Sequence, residues 1–235
     1  MKTSNDAPRC GNCRPRTRGL FGSLSSTHTI KLDREKTAHD YDRGQIIFYE
    51  GTPPLAIYCI HSGIVKLYKT GKNGTHIMIR ILGPGDVIGY RALLANEPYA
   101  ATAEAVDTTT ACTITRDTIN ILLKNDPKLI LQLLSKLATE LRVSEDQMVT
   151  RLQEPVRQRT ARFLMWLRES LWSGSRRSNT IVVPLLREEM AQMVGTTPET
   201  FSRTLRKFSH DGVIKYDRKS ITITKPGVLQ GIASA

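Results

Sequence analysis

Thr196-Thr197-Pro198-Glu199-Thr200-Phe201-Ser202-Arg203 gathers a capping residue, a helix-starting proline and two charged side chains into one short stretch. Thr197 can accept a hydrogen bond from a free N–H of a first helical turn. Pro198 has no N–H to leave orphaned there, and Glu199 lies at the positive end of the helix dipole. Together they predict a helix that starts at position 197. Glu199, Ser202 and Arg203 are spaced by three and four residues, so they project from one face near the helix N-terminus. Major-groove readers keep their base contacts on that part of a helix, and the stretch reads as the start of a DNA recognition helix.

The segment before it supports this reading. In Arg187-Glu188-Glu189-Met190-Ala191-Gln192-Met193-Val194-Gly195, Met190, Ala191 and Val194 share a face and Gly195 supplies a left-handed helix stop. A small residue at 191 lets two helices approach, and glycine at 195 relieves the turn between them, as a helix-turn-helix needs. On the far side Leu205 and Phe208 continue the buried stripe, and Gly212 breaks the helix. Val213-Ile214-Lys215-Tyr216 and Ser220-Ile221-Thr222-Ile223-Thr224 alternate apolar and polar around Asp217-Arg218-Lys219, which predicts a β-hairpin wing. An ordinary helical hairpin in a core is the alternative, and the wing and the charge pattern weigh against it.

The chain has 235 residues, of which 40% are hydrophobic and 24% charged, enough for two domains of a soluble globular protein. No run approaches the length of a membrane span, and the basic N-terminus leads into no hydrophobic block, so a cytoplasmic location is expected. The net charge of +12 is unevenly spread. Lys and Arg against Asp and Glu number 5 and 1 in residues 1–29, 15 and 15 in 30–154, and 14 and 6 in 155–235. Basic charge gathered on the helix-turn-helix segment is what phosphate neutralisation requires, which makes double-stranded DNA the expected partner. Arg206, Lys207 and Lys215 are the candidate phosphate contacts.

Residues 30–124 read as short strands separated by glycine: Ile46–Tyr49, Ile57–Ile60, Ile64–Tyr68, Ile77–Leu82 and Ala111–Ile114. Such spacing predicts an all-β roll or barrel, with Lys72-Asn73-Gly74 as a hairpin turn. After Asp126-Pro127 the pattern becomes helical. Ile130, Leu134, Leu137, Leu141 and Met148 repeat at spacings of four and three, interrupted by the polar Ser144. Sustained to Leu152, this gives roughly 40 Å of helix at about 1.5 Å per residue. So narrow a stripe predicts a parallel homodimer seam over residues 125–154, the alternative being a lone helix on its own β domain. Glu154-Pro155 breaks the helix and makes a hinge before a C-terminal domain, residues 155–235.

A β-roll, a long helix, a hinge and a winged helix-turn-helix, in that order, resemble the CRP/FNR transcription regulators over about residues 30–230. The most specific markers are Pro84-Gly85-Asp86-Val87-Ile88-Gly89 and Glu199-Thr200-Phe201-Ser202-Arg203. The resemblance implies an α+β fold: an N-terminal β-roll sensor of the cyclic-nucleotide-binding jelly-roll kind, a dimerisation helix and a DNA-binding domain. Glu-x-x-Ser-Arg is similar to the FNR-type arrangement, which implies an inverted repeat with TTGAT-like half-sites, and RNA polymerase as a further partner. On that likeness Arg203 forks onto a guanine edge, Glu199 accepts from a cytosine amino group and Ser202 assists at a thymine or phosphate. Thr197 and Pro198 flank these contacts, though Pro198 has no donor and little reach.

The sensed signal is less legible. Cyclic-AMP-binding relatives carry a Glu after the glycine of Gly-Asp-x-x-Gly and an Arg-Ser pair further on, whereas Gly89 is followed here by Tyr90-Arg91, and Tyr99-Ala100 stand at the later place. Losing that arginine and carboxylate argues against cyclic AMP. Arg91 leaves an anion pocket around Gly89, Tyr90, Arg91, Tyr99 and Ala100 as a candidate. Cys10, Cys13 and Cys112 match three of the four cluster-ligand places of the oxygen-sensing FNR branch, while Gly19 stands at the third tail place and Cys59 at a position the branch does not use. One reading is an oxygen- or nitric-oxide-sensitive iron–sulfur cluster. The other is no metal, with Cys59 and Cys112 as small buried residues and the tail pair a disordered remnant or thiol switch. A Cys-x2-Cys pair alone is also half a zinc site, with no second pair to finish it. His28, His39, His61, His76 and His210 are scattered and expected to be solvated. With no clustered histidines, activated nucleophile or phosphate-cradling loop, no catalysis is expected. A regulatory subunit whose helix-turn-helix contacts protein remains the rival.

Overall fold

The computed structural model describes residues 2–3, 8–170, 179–182, 184–217 and 220–235. The chain divides into two compact units, Met1–His76 with Arg80–Arg142, and Ile77–Ile79 with Val143–Ala235.

The first unit begins with β1 (Lys2–Thr3), a 3-10 turn (Cys10–Asn12), α1 (Arg14–Arg18) and α2 (Ser26–Glu35). Residues 1–29, expected from the sequence as a basic N-terminal tail, thus contain helical segments and pack on the roll. Cys10, Leu20, Phe21, Leu24 and Leu32 are all buried in one core with Ile57, Ile114 and Leu129. Large apolar side chains cannot stay in water when a sheet face offers burial, at about 25 cal/mol per Å², and α2 runs through the expected boundary at residue 29. Ser25 caps α2 by accepting from the His28 N–H at 3.2 Å.

The roll consists of two antiparallel sheets. Its strands are β2 (Thr37–Tyr41), β3 (Ile46–Phe48), β4 (Ala56–Ser62), β5 (Val65–Thr70), β6 (His76–Leu82), β7 (Val87–Ile88), β8 (Thr102–Ala105) and β9 (Thr109–Thr115). One sheet runs β1-β2-β9-β4-β7, the other β3-β8-β5-β6. Strand β4 pairs β9 with Ile57 opposite Ile114, Tyr58 opposite Thr113 and Cys59 opposite Cys112. Inside the roll Tyr41, Phe48, Ile60, Val65, Ile88 and Tyr99 form a second core. Helices α3 (Tyr90–Ala95) and α4 (Arg116–Asn125) follow β7 and β9, and α5 covers Pro127–Gln153.

Asp126 caps α5 as its sequence position predicts: Oδ1 accepts from the N–H groups of Lys128 at 3.1 Å and Leu129 at 3.3 Å. The other oxygen lies 3.0 Å from His28 Nδ1. His28 is therefore tied across the fold, and the expectation of solvated histidines fails again at His61, half-buried beside Cys13, whereas His76 is exposed with one ring face stacked on Tyr68.

In the second unit α5 ends at Gln153 and α6 (Val156–Ser170) begins after Glu154-Pro155. Then come β10 (Thr180–Val182), α7 (Arg187–Val194), α8 (Pro198–His210), β11 (Ile214–Tyr216), β12 (Ser220–Ile223) and α9 (Pro226–Ala233). The wing is present, with Ile214 opposite Ile223 and Tyr216 opposite Ile221, and β10 adds a third strand on β12. Of the expected turn, Arg218 and Lys219 lie outside the described residues. Asp217 shapes it by accepting from the Ser220 N–H at 2.7 Å. Among the described residues no helix is long and apolar enough to cross a membrane.

Candidate DNA-binding interface and sensor domain

Helix α8 starts as its sequence requires. Thr197 is extended and its hydroxyl accepts from the Thr200 N–H at 3.3 Å, with Pro198 in the first turn. Gly195 ends α7 at φ +73°, a conformation that costs a side chain but not glycine. Phe201, Leu205 and Phe208 are each 0% exposed, and Ala191 lies buried where α7 meets them. That anchoring leaves the opposite side of α8 to solvent: Glu199, Arg203, Arg206 and Lys207 are exposed and Ser202 is half-buried. Among the described residues Arg203 makes one long contact, 3.5 Å, to Thr200 Oγ1. Lys215 is exposed on β11. One helix thus carries every residue assigned to base contact, together with two of the three assigned to phosphate.

A residue the sequence reading missed fixes this helix pair in place. The Arg159 guanidinium, on α6, donates to Val194 O at 2.9 Å and Gly195 O at 3.0 Å, at the end of α7. It also donates to Arg151 O at 3.2 Å and to Glu154 O, at the end of α5. One cation therefore serves the carbonyl ends of two helices, where positive charge is favoured. Nothing in the Arg157-Gln158-Arg159 run marks position 159 as different from a surface arginine. On the wing side Arg187 stacks over the Tyr216 ring at 4.9 Å and donates to Asp217 O at 3.0 Å.

On α5 the expected seam splits. Ile130, Leu134, Leu141 and Met148 are exposed, Leu134 by 56%, Leu141 by 61% and Met148 by 66%. Leu137 departs from the expectation: it packs partly against the chain's own core beside the buried Leu129 and Leu133. At this end α5 has two apolar faces, and the lone-helix reading describes only one of them.

Of the residues of the candidate anion pocket, Gly89 lies against Tyr99, while Arg91 and Ala100 are turned to solvent. Tyr90 is buried and faces Glu140; burial first, and that carboxylate second, push its phenol well above the usual range. Glu140 in turn pairs with Arg80 at 2.8 Å. Tyr99 is buried inside the roll, stacked on Phe48 at 4.0 Å, with its hydroxyl donating to Ala56 O at 2.6 Å. A side chain at Gly89 would press on the Tyr99 ring at 3.0 Å. Arg91 and Ala100 are exposed. Arg91 thus faces water, while Tyr99 takes up part of the roll interior.

The cysteines are brought together. Cys10, Cys13, Cys59 and Cys112 line one cavity of about 30 Å³, with Lys36 and His61 in its wall. Cys13 Sγ lies 3.5 Å from His61 Nδ1. Burial pushes the Cys10 thiol up to about 12 and the Cys112 thiol to about 11, and raises Cys59 well above its usual value. Burial thus keeps Cys10, Cys59 and Cys112 as thiols, which are poor nucleophiles. The separate strand positions of Cys59 and Cys112 gave no sign that they pair across β4 and β9.

Comparisons with known proteins agree with this architecture. The family profile of the cyclic nucleotide-binding domain matches residues 38–126, and that of the Crp-like helix-turn-helix domain matches residues 158–232. A CRP-like cAMP-activated global transcriptional regulator of Mycobacterium tuberculosis is 28% identical over 88% of this chain and 92% of its own. The nitrogen fixation regulation protein FixK of Bradyrhizobium diazoefficiens is 24% identical over 96% of this chain and 94% of its own. Among solved structures, FixK2 from Bradyrhizobium japonicum superposes with a TM-score of 0.75 at 24% identity, covering 85% of this chain and 98% of that one. These relatives are regulators and not enzymes. With both domains matched in order and the likeness running along most of its length, the chain belongs to the CRP/FNR family of transcription regulators.

Proposed function

We propose that the protein is a homodimeric, sequence-specific DNA-binding regulator that acts in the cytoplasm with RNA polymerase. It reads an inverted repeat of TTGAT-like half-sites and answers to a signal other than cyclic AMP. The observation that carries this reading is helix α8: one side is locked into the core by Phe201, Leu205 and Phe208, and the other presents Glu199, Ser202 and Arg203 to solvent. Two such helices about one DNA turn apart, roughly 34 Å, address a palindrome. The exposed Leu134, Leu141 and Met148 of α5 supply an apolar seam for the second subunit. Tyr99, hydrogen-bonded inside the roll, supports a signal other than the cyclic nucleotide.

Binding to a labelled TTGAT-type palindrome tests the reading. Arg203→Ala should cost about 1–3 kcal/mol on that duplex and little on random DNA. Equal loss on both would mean that Arg203 touches only the backbone, and added cyclic AMP should leave the affinity of the wild type unchanged.

A further inference from the structure

We infer that Arg151, in the last turn of α5, is a phosphate-binding residue that grips the DNA backbone where the recognition helix begins. The inference rests on the reading of α8 as the DNA reader. By sequence position Arg151 counts with the electrically neutral residues 30–154, outside the segment whose positive excess pointed to DNA. The fold places it elsewhere, in the second unit with α7 and α8.

Its placement is read from Gly195. A Cβ built on that glycine would lie 3.2 Å from Arg151 Cγ and 3.3 Å from its Cδ and Nε. The arginine stem therefore runs directly over the turn that joins α7 to α8, two residues before Thr197 caps α8. Glycine at 195 serves twice, through its φ of +73° and by leaving room for that stem. The backbone of Arg151 is held as well, because its carbonyl accepts from Arg159 Nη1 at 3.2 Å. Stem and backbone are thus fixed while the residue as a whole stays exposed. A long cationic side chain in this arrangement lays its methylenes on protein and keeps its charged head in solvent.

The other arginines around the junction are occupied. Arg159 uses its guanidinium on four carbonyls. Arg162 pairs with Glu154 at 2.9 Å and donates to Ala233 O at 3.1 Å, and Arg157 lies 3.9 Å from Asp211. Among the described residues no carboxylate or carbonyl takes up the Arg151 guanidinium. A recognition helix enters the major groove by its N-terminal end, so the turn just before it runs beside the phosphate backbone. A guanidinium laid over that turn meets phosphate oxygens, which it can hold with two parallel donors. Such a contact carries no base information, so Arg151 adds affinity where Glu199, Ser202 and Arg203 add discrimination.

The test is equilibrium binding of the full-length protein to the labelled TTGAT-type palindrome and to a random duplex of equal length, each over a series of KCl concentrations. Arg151→Gln keeps much of the stem over Gly195 and removes the charge. Neutralised phosphates release counterions, so its plot of log affinity against log salt should be shallower than wild type by about 1.8, about 0.9 for each of two subunits. Affinity should fall about tenfold on both duplexes and leave their ratio unchanged. Arg151→Lys, which keeps the charge, should restore the wild-type slope. A wild-type slope in Arg151→Gln overturns the inference, and so does weaker binding at unchanged slope, which would mean that the side chain only props the turn. A loss confined to the palindrome overturns it too, because Arg151 would then be reading bases. Arg203→Ala, measured alongside, should leave the random duplex nearly untouched; if it does so while Arg151→Gln is inert, this inference falls and the DNA reading stands. Wild type that binds neither duplex in dilute salt removes both.

Discussion

Removing the Arg159 guanidinium should loosen the recognition helix without touching it. That group donates to Val194 O, Gly195 O, Arg151 O and Glu154 O, and of these the bonds to Val194 and Glu154 are the better shielded from water. A hydrogen bond to a charged group contributes about 1.5–3 kcal/mol when buried, and partial hydration of this side chain reduces that. Counting only the two shielded bonds, Arg159→Ala should cost roughly 2–4 kcal/mol. With a urea m-value of about 2 kcal/mol/M, the midpoint should fall by about 1–2 M. Both tryptophans, Trp166 and Trp172, belong to the C-terminal segment of the sequence, so their fluorescence follows this unit. Arg159→Lys should recover less than half, because one ammonium cannot fork onto four carbonyls. Palindrome affinity should fall with the midpoint. If Arg159→Ala keeps the wild-type stability within about 0.5 kcal/mol, the carbonyls are satisfied by water and the bracing argument is refuted.

Other substitutions test other links. Thr197→Ala removes the α8 cap seen at 3.3 Å and should cost about 1 kcal/mol, read by urea titration. Leu134→Glu with Leu141→Glu places charge on the exposed stripe of α5; sedimentation should then show monomer, and palindrome affinity should drop sharply while the far-ultraviolet circular dichroism is unchanged. Asp126→Ala should cost about 1–2 kcal/mol at neutral pH through loss of the α5 cap. The His28 hydrogen bond first, with help from the cap N–H groups, holds the Asp126 carboxyl below its usual 3.8. Its contribution is therefore fully present above that pH and lost as pH falls through the lower folded value. Acid titration should find Asp126→Ala less sensitive than wild type below about pH 4.

What the sequence determined by itself was whatever depends on neighbours along the chain. The capped start of α8, the glycine stop at 195, the wing's alternation and the helix ending at Gln153 beside Glu154-Pro155 follow from caps, dipoles, periodicity and forbidden dihedrals within a few residues. The exposed reading face of α8 was legible for the same reason, since a 3.6-residue period that buries Phe201, Leu205 and Phe208 leaves Glu199 and Arg203 outside. The tertiary structure alone decided the contacts between distant segments. Leu20, Phe21 and Leu24 have no clear period, so only the presence of a sheet face to cover turned a basic tail into core. Leu137 shares the spacing of Leu134, yet it faces its own domain because α5 there is flanked by Leu129 and Leu133. Tyr99 and Arg91 looked like neighbours in one pocket, yet Tyr99 is buried in the roll while Arg91 is exposed on α3. Cys59 gave no signal in one dimension, and strand register alone set it opposite Cys112.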